Sequence, residues 1–220
     1  MIESSMDHQK QVCSRAGKSQ MSFADSSEHE IEPERKVGKL QAFRYFAPRR
    51  ESKKRARALT MGGNILVLCL GNICRSPVVE LLLKKHLPAD LFKIRSRGLL
   101  PLESQPPPPD YAIQAKDLGI DLSGHFSNII SAEDVSWATV ILIMDESNRD
   151  GLKRFGEMAL SKVVWIGAWD PSGDIVIPDP FREPPTIQRQ IIARMKRVAS
   201  HFATWLLHTV NSHRDRSLAP

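Results

Sequence analysis

The chain has 220 residues, 41% of them hydrophobic and 25% charged, which is an ordinary composition for a globular protein and enough for one fair-sized domain with an extension. The formal net charge is +6 at pH 7, but residues 1–60 hold 13 Lys/Arg against 8 Asp/Glu, so residues 61–220 are close to neutral. The basic character of the whole chain is therefore no reason to expect nucleic acid binding.

The cysteine content excludes two other classes of protein. Cys13, Cys69 and Cys74 are too few for a disulfide scaffold, and no Cys/His cluster has the spacing of zinc ligands. No apolar run approaches the ~20 residues of a membrane span, and the first residues lack the hydrophobic segment of a secretory signal. We therefore expect no metal ion, no cofactor and no membrane span, and a reducing, cytoplasmic setting.

Residues 1–60 show neither helical nor strand periodicity and are rich in Ser, Glu, Lys and Arg, which indicates a disordered basic extension. Six basic residues between Arg49 and Arg57 favour either a solvated tail, the simpler interpretation, or a patch for an acidic partner or a membrane surface. Met61, followed by two glycines, is a second candidate for the natural start of the protein. The expected folded domain covers residues 61–212, with a short tail over 213–220.

From Asn64 onward, apolar strands alternate with helices. Strands are predicted at Ile65–Leu68, Phe92–Ser96, Thr139–Met144 and Val163–Ile166. Helices are predicted at Pro77–His86, Asp110–Leu118, a short turn opened by Ser131, and Glu146–Phe155. Pro77 is expected at the first helical position and Gly119 just past a helix end. This alternation predicts an α/β fold, a single doubly wound domain with a four-stranded parallel sheet flanked by helices.

The last predicted helix is long and amphipathic. Its apolar residues recur at steps of three and four, at Ile187, Ile191, Met195, Val198, Phe202, Trp205 and Leu206. One face of this helix is therefore expected to pack against the sheet.

The segment "CLGNICRSP", Cys69 to Pro77, leads from the first predicted strand into the first predicted helix. Backbone N–H groups and the helix dipole form an anion cradle at such a junction. Gly71 permits backbone angles that side chains forbid, and Asn72 tolerates the left-handed region. Arg75 can hold two phosphate oxygens, and the positive surroundings favour the thiolate of Cys69, the form that attacks. The GxxxxGK[ST] pattern of nucleotide loops is absent.

A Cys-x5-Arg spacing alone is a weak signal, because a cysteine at a strand end is usually buried and inert. The whole segment, however, closely resembles the signature of the low-molecular-weight protein tyrosine phosphatases. Further stretches that resemble the family are "SRGL" (Ser96–Leu99), "LGIDLSGH" (Leu118–His125), "IMDESN" (Ile143–Asn148) and "IPDPF" (Ile177–Phe181). The chain is identified as a member of that family, with a resemblance that extends from about Asn64 to Val210.

The resemblance implies that phosphotyrosine is hydrolysed without a metal ion, in two displacements. Cys69 would be the nucleophile that forms a phosphocysteine, Arg75 the phosphate clamp, and Asp179 the general acid and then the base. The other expected site residues form the phosphate-binding loop and its supports: Leu70, Gly71, Asn72, Ile73, Cys74, Ser76, Ser96, His125 and Phe181.

Several of these residues have a structural alternative. Asn72 would brace the loop together with Ser96 and His125, which is itself a structural role. Ser76 would donate a hydrogen bond to the thiolate, although a simple helix cap would have the same sequence. Cys74 has two interpretations of equal weight: simple packing, or a reversible disulfide with the nucleophile under oxidant.

The expected class of substrate follows from the depth of the phosphate cradle and from the apolar residues beside it. A cradle at the bottom of a pocket suits a phosphorylated ring better than phosphoserine, and Leu70, Ile73 and Phe181 are expected to wall that ring. Family members that act on phosphoarginine tend to carry Thr where this chain has Ile73. Phe181 replaces the commoner Tyr, Arg97 stands where Ala is usual, and Asn128 stands where a basic residue is common. The expected partners are phosphotyrosine proteins, with a tyrosine kinase of polysaccharide export suggested by bacterial relatives.

Three other functions are alternatives. Arsenate reductases share this fold but need further cysteines downstream, and no cysteine follows Cys74. A non-catalytic phosphopeptide-binding protein would need only the cradle, so the combination of Cys69, Arg75 and Asp179 favours catalysis. An RNA- or membrane-associated protein would act through residues 48–60.

Overall fold

The computed structural model describes residues 45–217. Its centre is a four-stranded sheet in the order β2-β1-β3-β4, and every pair of neighbouring strands is parallel. The strands are β1 (Gly63–Cys69), β2 (Phe92–Gly98), β3 (Val140–Ile143) and β4 (Val163–Trp165). The α/β class and the four-stranded parallel sheet that the sequence predicts are confirmed.

Helices cover both faces of the sheet. Within the described residues the α-helices are α1 (Phe46–Ala56), α2 (Arg75–His86), α3 (Pro109–Asp117), α4 (Ala132–Trp137), α5 (Glu146–Leu152), α6 (Gly156–Ser161) and α7 (Pro185–Ser217). Short 3₁₀ turns follow α1, α5 and β4, at Arg57–Leu59, Lys153–Phe155 and Ile166–Trp169. None of the helices in residues 45–217 combines the length and apolarity that crossing a bilayer requires.

Strand β1 is apolar throughout because both of its faces are buried. Ile65 and Val67 belong to a core that α2, α3 and α7 complete, whereas Leu66 and Leu68 face a second core beneath α4, α5 and α6. Covering both faces in this way removes the alternation of polar and apolar residues that a half-exposed strand would show.

The strand order determines where a site can form. Strand β1 lies between β2 and β3, so the connections that leave β1 and β3 diverge to opposite faces of the sheet. The loops after Cys69 and Ile143 therefore begin side by side at the carboxyl edge of the sheet, where open α/β sheets bind ligands.

Several predicted boundaries need correction. Helix α2 begins at Arg75, so Pro77 is in its third position, where its missing N–H still costs no helical hydrogen bond. The predicted helix over 146–155 ends as an α-helix at Leu152 and continues as a 3₁₀ turn, and α6 was not predicted. Gly119 has a φ of +79° just past the end of α3, and its predicted role as a helix stop is confirmed.

Helix α7 is longer than predicted. It continues to Ser217, so the expected tail over 213–220 is helical as far as the structure describes it. Most of its predicted apolar face is buried, including Met195 and Phe202, but Ile187 in its first turn is 36% exposed and Trp205 is only partly buried.

The predicted disorder of residues 1–60 is wrong for residues 45–60. Helix α1 packs against β4, the edge strand, and Ala56 and Leu59 are fully buried. Ser52 Oγ accepts a hydrogen bond from the backbone N–H of Trp165 in β4. Among the described residues, no strand pairs with β4 on this outer side. The buried face of this helix is narrow and set among basic residues, so its periodicity was hidden. Residues 1–44 lie outside the described residues, and their disorder stays a prediction.

Candidate active site

The loop between β1 and α2 wraps around the sulfur of Cys69. The N–H of Asn72 donates to Cys69 Sγ at 3.3 Å, and Ser76 Oγ lies 3.0 Å from the same sulfur. Asn72 has a φ of 54°, so the left-handed conformation predicted for it is confirmed. Gly71 is not among the glycines with positive φ, so the loop does not use the left-handed freedom that this residue permits.

Asn72 is completely buried and connects the loop to three other segments. Its Nδ2 donates to Ser76 Oγ at 2.9 Å and to Ser96 Oγ at 2.8 Å, and its Oδ1 accepts from the N–H of Asn128 at 2.9 Å. His125 Nε2 lies 2.7 Å from the carbonyl oxygen of Asn72. The structure thus brings together the three residues expected to brace the loop, and each polar atom of the Asn72 amide is paired.

Two further side chains support this loop and were not predicted. Glu80 Oε2 accepts from Ser96 Oγ at 2.5 Å, and the buried hydroxyl of Tyr111 donates to the carbonyl of Cys74 at 3.3 Å. Burial raises the pKa of Tyr111, so its hydroxyl remains a donor. Both residues lie on helices that pack beside the loop, in α2 and α3, and neither has a sequence signal that distinguishes it from an ordinary helical residue.

Gly98, the last residue of β2, allows the loop to approach the sheet. A Cβ atom at this position would lie 3.0 Å from the carbonyl carbon of Gly71 and 3.1 Å from the backbone nitrogen of Asn72. Gly98 lies in the "SRGL" segment, but the sequence gives no indication that it touches the loop. Its lack of a side chain is therefore a requirement of tertiary packing rather than of a turn.

Arg75 is 1% exposed and projects to the edge of the same loop. Its Nη1 donates to Asp145 and to the carbonyl of Ile177, the latter at 3.1 Å, and its Nη2 donates to Asp179 Oδ2 at 2.7 Å. Burial alone would lower the pKa of this guanidinium, but the negative charges of Cys69, Asp179 and Asp145 raise it above its ordinary value. Arg75 is therefore a permanent positive charge.

The loop presents donors that the protein does not use internally. The Nε of Arg75 is buried and has no hydrogen-bond partner among residues 45–217. In the same part of the chain, the N–H groups of Gly71, Ile73 and Cys74 bond to no backbone oxygen. A tetrahedral anion above Cys69 would satisfy these donors together.

Asp145 is a site residue that sequence reasoning missed. It follows β3, accepts the N–H of Asn148 at 2.9 Å as the cap of α5, and pairs with Arg75. The segment "IMDESN" had drawn attention only as a family-like stretch. A usable signal did exist, because a carboxylate after β3 must lie near the end of β1 in a parallel sheet.

Asp179 reaches the site from the segment between β4 and α7. Its Oδ2 pairs with Arg75, its Oδ1 accepts the N–H of Phe181 at 3.2 Å, and its side chain is 40% exposed. The carboxylate thus faces solvent at the opening of the cleft that contains Cys69. A carboxyl group in this position can exchange a proton with a leaving group or with water.

The cleft itself has a volume of about 80 Å³, and Cys69, only 3% exposed, lies at its base. Its lining comprises Cys69, Leu70, Gly71, Ile73, Cys74, Leu100, Leu102, Asp179 and Phe181. Leu70, Ile73 and Phe181 were predicted to wall a ring, whereas Leu100 and Leu102, from the loop after β2, were not. The walls are mainly aliphatic and aromatic, which suits a flat apolar group above the anion cradle.

Cys74 is the second cysteine of the loop. Burial raises the pKa of its thiol well above the ordinary value, and the negative charges of Cys69 and Asp179 add to this shift. Cys74 is therefore a neutral thiol at pH 7, and both loop cysteines are free. The reversible disulfide between them stays a prediction.

Comparisons with known proteins agree with this geometry. A sequence model described as low molecular weight phosphotyrosine protein phosphatase matches residues 64–214, a range that begins after α1. The low molecular weight protein-tyrosine-phosphatase Wzb of Escherichia coli strain K12 is 32% identical over 143 residues, covering 65% of this chain and 95% of Wzb.

Solved structures match over a similar range. The tyrosine phosphatase Wzb from Escherichia coli K30, in complex with sulphate, has a TM-score of 0.60 at 28% identity and covers 66% of this chain and 99% of its own. The YwlE arginine phosphatase from Geobacillus stearothermophilus has a TM-score of 0.62 at 27% identity and covers 69% of this chain and 97% of its own.

Proposed function

Because the chain belongs to the low molecular weight phosphotyrosine protein phosphatase family, we propose that it hydrolyses phosphotyrosine in proteins through a phosphocysteine on Cys69. Membership of the family makes the chain a hydrolase of the protein tyrosine phosphatase class. One observation carries the proposed mechanism: Cys69 and Asp179 line a single cleft, and Arg75 pairs with Asp179 although 104 positions in sequence separate these two residues.

In the first displacement, the phosphate oxygens occupy the cradle formed by the loop N–H groups and Arg75 Nε. Cys69 Sγ attacks phosphorus opposite the phenolic oxygen, so the S–P bond forms while the P–O bond breaks. Asp179 donates its proton to the departing oxygen, which leaves as a neutral phenol.

In the second displacement, the Asp179 carboxylate takes a proton from a water molecule, which attacks the phosphocysteine. The S–P bond breaks, inorganic phosphate leaves, and the sulfur returns as a thiolate. The N–H of Asn72 and the hydroxyl of Ser76, at 3.3 and 3.0 Å from Sγ, can both donate to that thiolate. These bonds stabilise the sulfur as a leaving group in this step.

The cleft walls support an aromatic substrate. Leu70, Ile73 and Phe181 line the same cleft as the sulfur of Cys69, so the ring of phosphotyrosine would lie between apolar groups. A phosphoserine side chain is too short to place its phosphate in the cradle while its backbone remains outside. A phosphoarginine substrate is a second candidate, because the YwlE arginine phosphatase is a structural neighbour. Ile73 argues against it, because an isoleucine offers no hydrogen bond to a guanidinium.

For protein partners, we rely on the family resemblance and propose a tyrosine kinase of polysaccharide export as one substrate. The need for a reduced nucleophile next to Cys74 supports a reducing compartment such as the cytoplasm. Dephosphorylation of such a kinase by the wild-type chain, but not by Cys69→Ser, is the expected result.

The function is tested by turnover of p-nitrophenyl phosphate in the presence of a chelator. Cys69→Ser should lower kcat by roughly 10³-fold or more, because loss of a nucleophile removes the covalent route. The matched control is Cys13→Ser, which removes the thiol outside the loop and should leave the rate unchanged. A phosphotyrosine peptide should be hydrolysed faster than phosphoserine and phosphoarginine peptides of the same sequence. Undiminished turnover by Cys69→Ser would contradict the mechanism, and a preference for phosphoarginine would contradict the substrate.

A further inference from the structure

Helix α1 lies outside the residues that match the family, yet it contacts the segment that leads to Asp179. We use "acid segment" for residues 170–179, which follow the 3₁₀ turn at Ile166–Trp169 and end at the proposed general acid. The inference concerns how α1 acts on the acid segment, and it therefore rests on the proposed function.

One side chain of α1 makes this contact. Arg49 Nη1 donates to the carbonyl oxygen of Ala168 at 2.9 Å and to that of Asp170 at 3.2 Å. Arg49 Nη2 donates to the carbonyl oxygen of Gly167 at 3.4 Å. Nη2 also lies 3.3 Å from the Asp170 carbonyl. Three carbonyls of one turn therefore converge on a single planar cation, whose geometry a lysine could not reproduce.

The turn held by Arg49 is in direct contact with the middle of the acid segment. A Cβ atom on Gly167 would lie 2.2 Å from the carbonyl oxygen of Ile175, so the two backbones are packed as closely as they can be. A displacement of the turn would therefore move Ile175 with it.

A second connection runs through Asp170, whose side chain is fully buried. Arg194 of α7 donates to Asp170 Oδ2 at 2.6 Å and to the carbonyl of Asp174 at 3.0 Å, so it joins the two ends of the first half of the acid segment. Burial lowers the pKa of the Arg49 guanidinium, and the negative charges of Asp170 and Asp174 oppose that shift. Arg49 is therefore also coupled electrostatically to these two aspartates.

The second half of the acid segment connects the turn to the cleft. Ile175 and Ile177 are fully buried, the N–H of Ile177 donates to the carbonyl of Met144 at 2.8 Å, and its carbonyl accepts from Arg75. Asp179 follows two residues later, after Pro178, which limits the freedom of the backbone. The position of the carboxyl group is thus set by a segment held at both ends.

We propose that Arg49 is a positioning residue for the general acid, and that α1 is a device that fixes the acid segment over the cleft. The alternative is that α1 only stabilises the fold by covering the edge strand β4. Both roles predict a loss of stability when α1 contacts are removed, so stability alone cannot separate them.

The chain offers a matched control on the same helix. Arg55 also donates to backbone carbonyls, that of Leu160 in α6 at 2.7 Å and that of Val163, the first residue of β4, at 3.2 Å. Neither carbonyl belongs to the acid segment. Arg49→Met and Arg55→Met therefore each leave carbonyls of a neighbouring element without their cation, and only the first should alter the acid.

The test measures kcat/KM of the full-length chain for phenyl phosphate, a poor leaving group, and p-nitrophenyl phosphate, a good one. Arg49→Met should lower kcat/KM for phenyl phosphate by roughly tenfold, part of the ~10²–10⁴ that a general acid contributes. It should change the value for p-nitrophenyl phosphate little, and Arg55→Met should change neither. In an Asp179→Ala background, Arg49→Met should have almost no further effect, because the group on which it acts is absent.

Three results would overturn the inference. The first is an equal loss of kcat/KM for both substrates in Arg49→Met, and the second is an equal loss in Arg49→Met and Arg55→Met. The third is an undiminished effect of Arg49→Met in the Asp179→Ala background. If Arg49→Met does not fold, Arg49→Lys and Arg55→Lys form the same comparison, with a smaller expected loss because Lys keeps the charge and reaches fewer carbonyls. An unchanged kcat/KM for phenyl phosphate in Asp179→Ala alone would instead refute the acid role of Asp179 in the proposed function.

Discussion

Asn72 shows how one residue can organise the proposed catalytic loop. It adopts the left-handed conformation with a φ of 54°, and its completely buried amide donates twice and accepts once. Aspartate lacks the donors, and glycine would accept the backbone angle but supply no bonds. Only an amide of this length meets both requirements, because Ser76 and Ser96 need a donor and the Asn128 N–H needs an acceptor.

We therefore predict that Asn72→Ala lowers the free energy of unfolding by about 1–3 kcal/mol, since it leaves buried partners unpaired. The loss is measured by urea unfolding, together with kcat/KM for p-nitrophenyl phosphate, which should also fall. Asn128→Ala is the control, because it keeps the backbone N–H that bonds Asn72 and removes only an exposed amide. Equal destabilisation by the two variants would contradict this role of Asn72.

At the scale of elements, the proposed phosphate-binding loop depends on the end of β2 as much as on its own sequence. Gly98 lets the strand end lie so close to Gly71 and Asn72 that an added Cβ would be 3.0–3.1 Å from their backbone atoms, which is tighter than most Cβ contacts. The carbonyl of Gly98 accepts from Ile130, and its N–H donates to the carbonyl of Asn128, so the strand end cannot move away freely. The loop therefore has to give way if Gly98 acquires a side chain.

Gly98→Ala should raise the inhibition constant of inorganic phosphate by about tenfold, equivalent to ~1.4 kcal/mol of binding free energy. The physical reason is that the displaced loop no longer aims its N–H groups at one point. Gly124→Ala, where an added Cβ meets nothing within 4 Å, should leave phosphate inhibition unchanged. Unaltered inhibition in Gly98→Ala would show that the close approach has no effect on the cradle.

Residues near Cys69, the proposed nucleophile, could be predicted from sequence, because Cys69 to Ser76 form a continuous motif at a strand–helix junction. Asp179 was predicted only through the family resemblance, and Asp145 was not assigned a role although it follows β3. Gly98 could not be found, because its requirement arises from two segments that meet only in the folded chain.

Helix α1 shows a different reason for failure. Its charged residues indicated a solvated tail, but Arg49 and Arg55 bond to backbone carbonyls and Ser52 to an N–H of β4. Polar side chains that pair with the backbone of another element have no periodic apolar signature. Ala56 and Leu59 are the buried apolar residues over 46–59, and two such residues in a basic sequence are too few to produce a recognisable helical pattern.

For the whole molecule, Asp170 links α1, the acid segment and α7. Burial alone would raise the pKa of this carboxyl, but the hydrogen bonds from Arg194 and Ser172 outweigh burial and hold the pKa below its usual value. A carboxyl with a depressed folded pKa stabilises the fold fully above its unfolded pKa of about 3.9. That stabilisation is lost as the pH falls through the lower folded pKa.

Asp170→Asn should therefore destabilise the protein most near neutral pH, and its difference from wild type should shrink once the pH falls below about 4. Chemical unfolding at a series of pH values measures this difference. The exposed Asp117→Asn, which removes a surface pair with Arg189, is the control for loss of a carboxylate. A difference between wild type and Asp170→Asn that does not change with pH would contradict the ionised, paired state of Asp170.

The central claim is that the sulfur of Cys69 carries the phosphoryl group during turnover. The most direct measurement is the intact mass, followed by peptide mapping, of Asp179→Ala quenched in acid while it turns over p-nitrophenyl phosphate. This substrate needs no acid for its departure, but the second displacement lacks its base, so the intermediate should accumulate. We expect one phosphoryl group per chain, located on Cys69 and absent when Cys69→Ser is added. Turnover with no phosphoryl group on that sulfur would contradict the account.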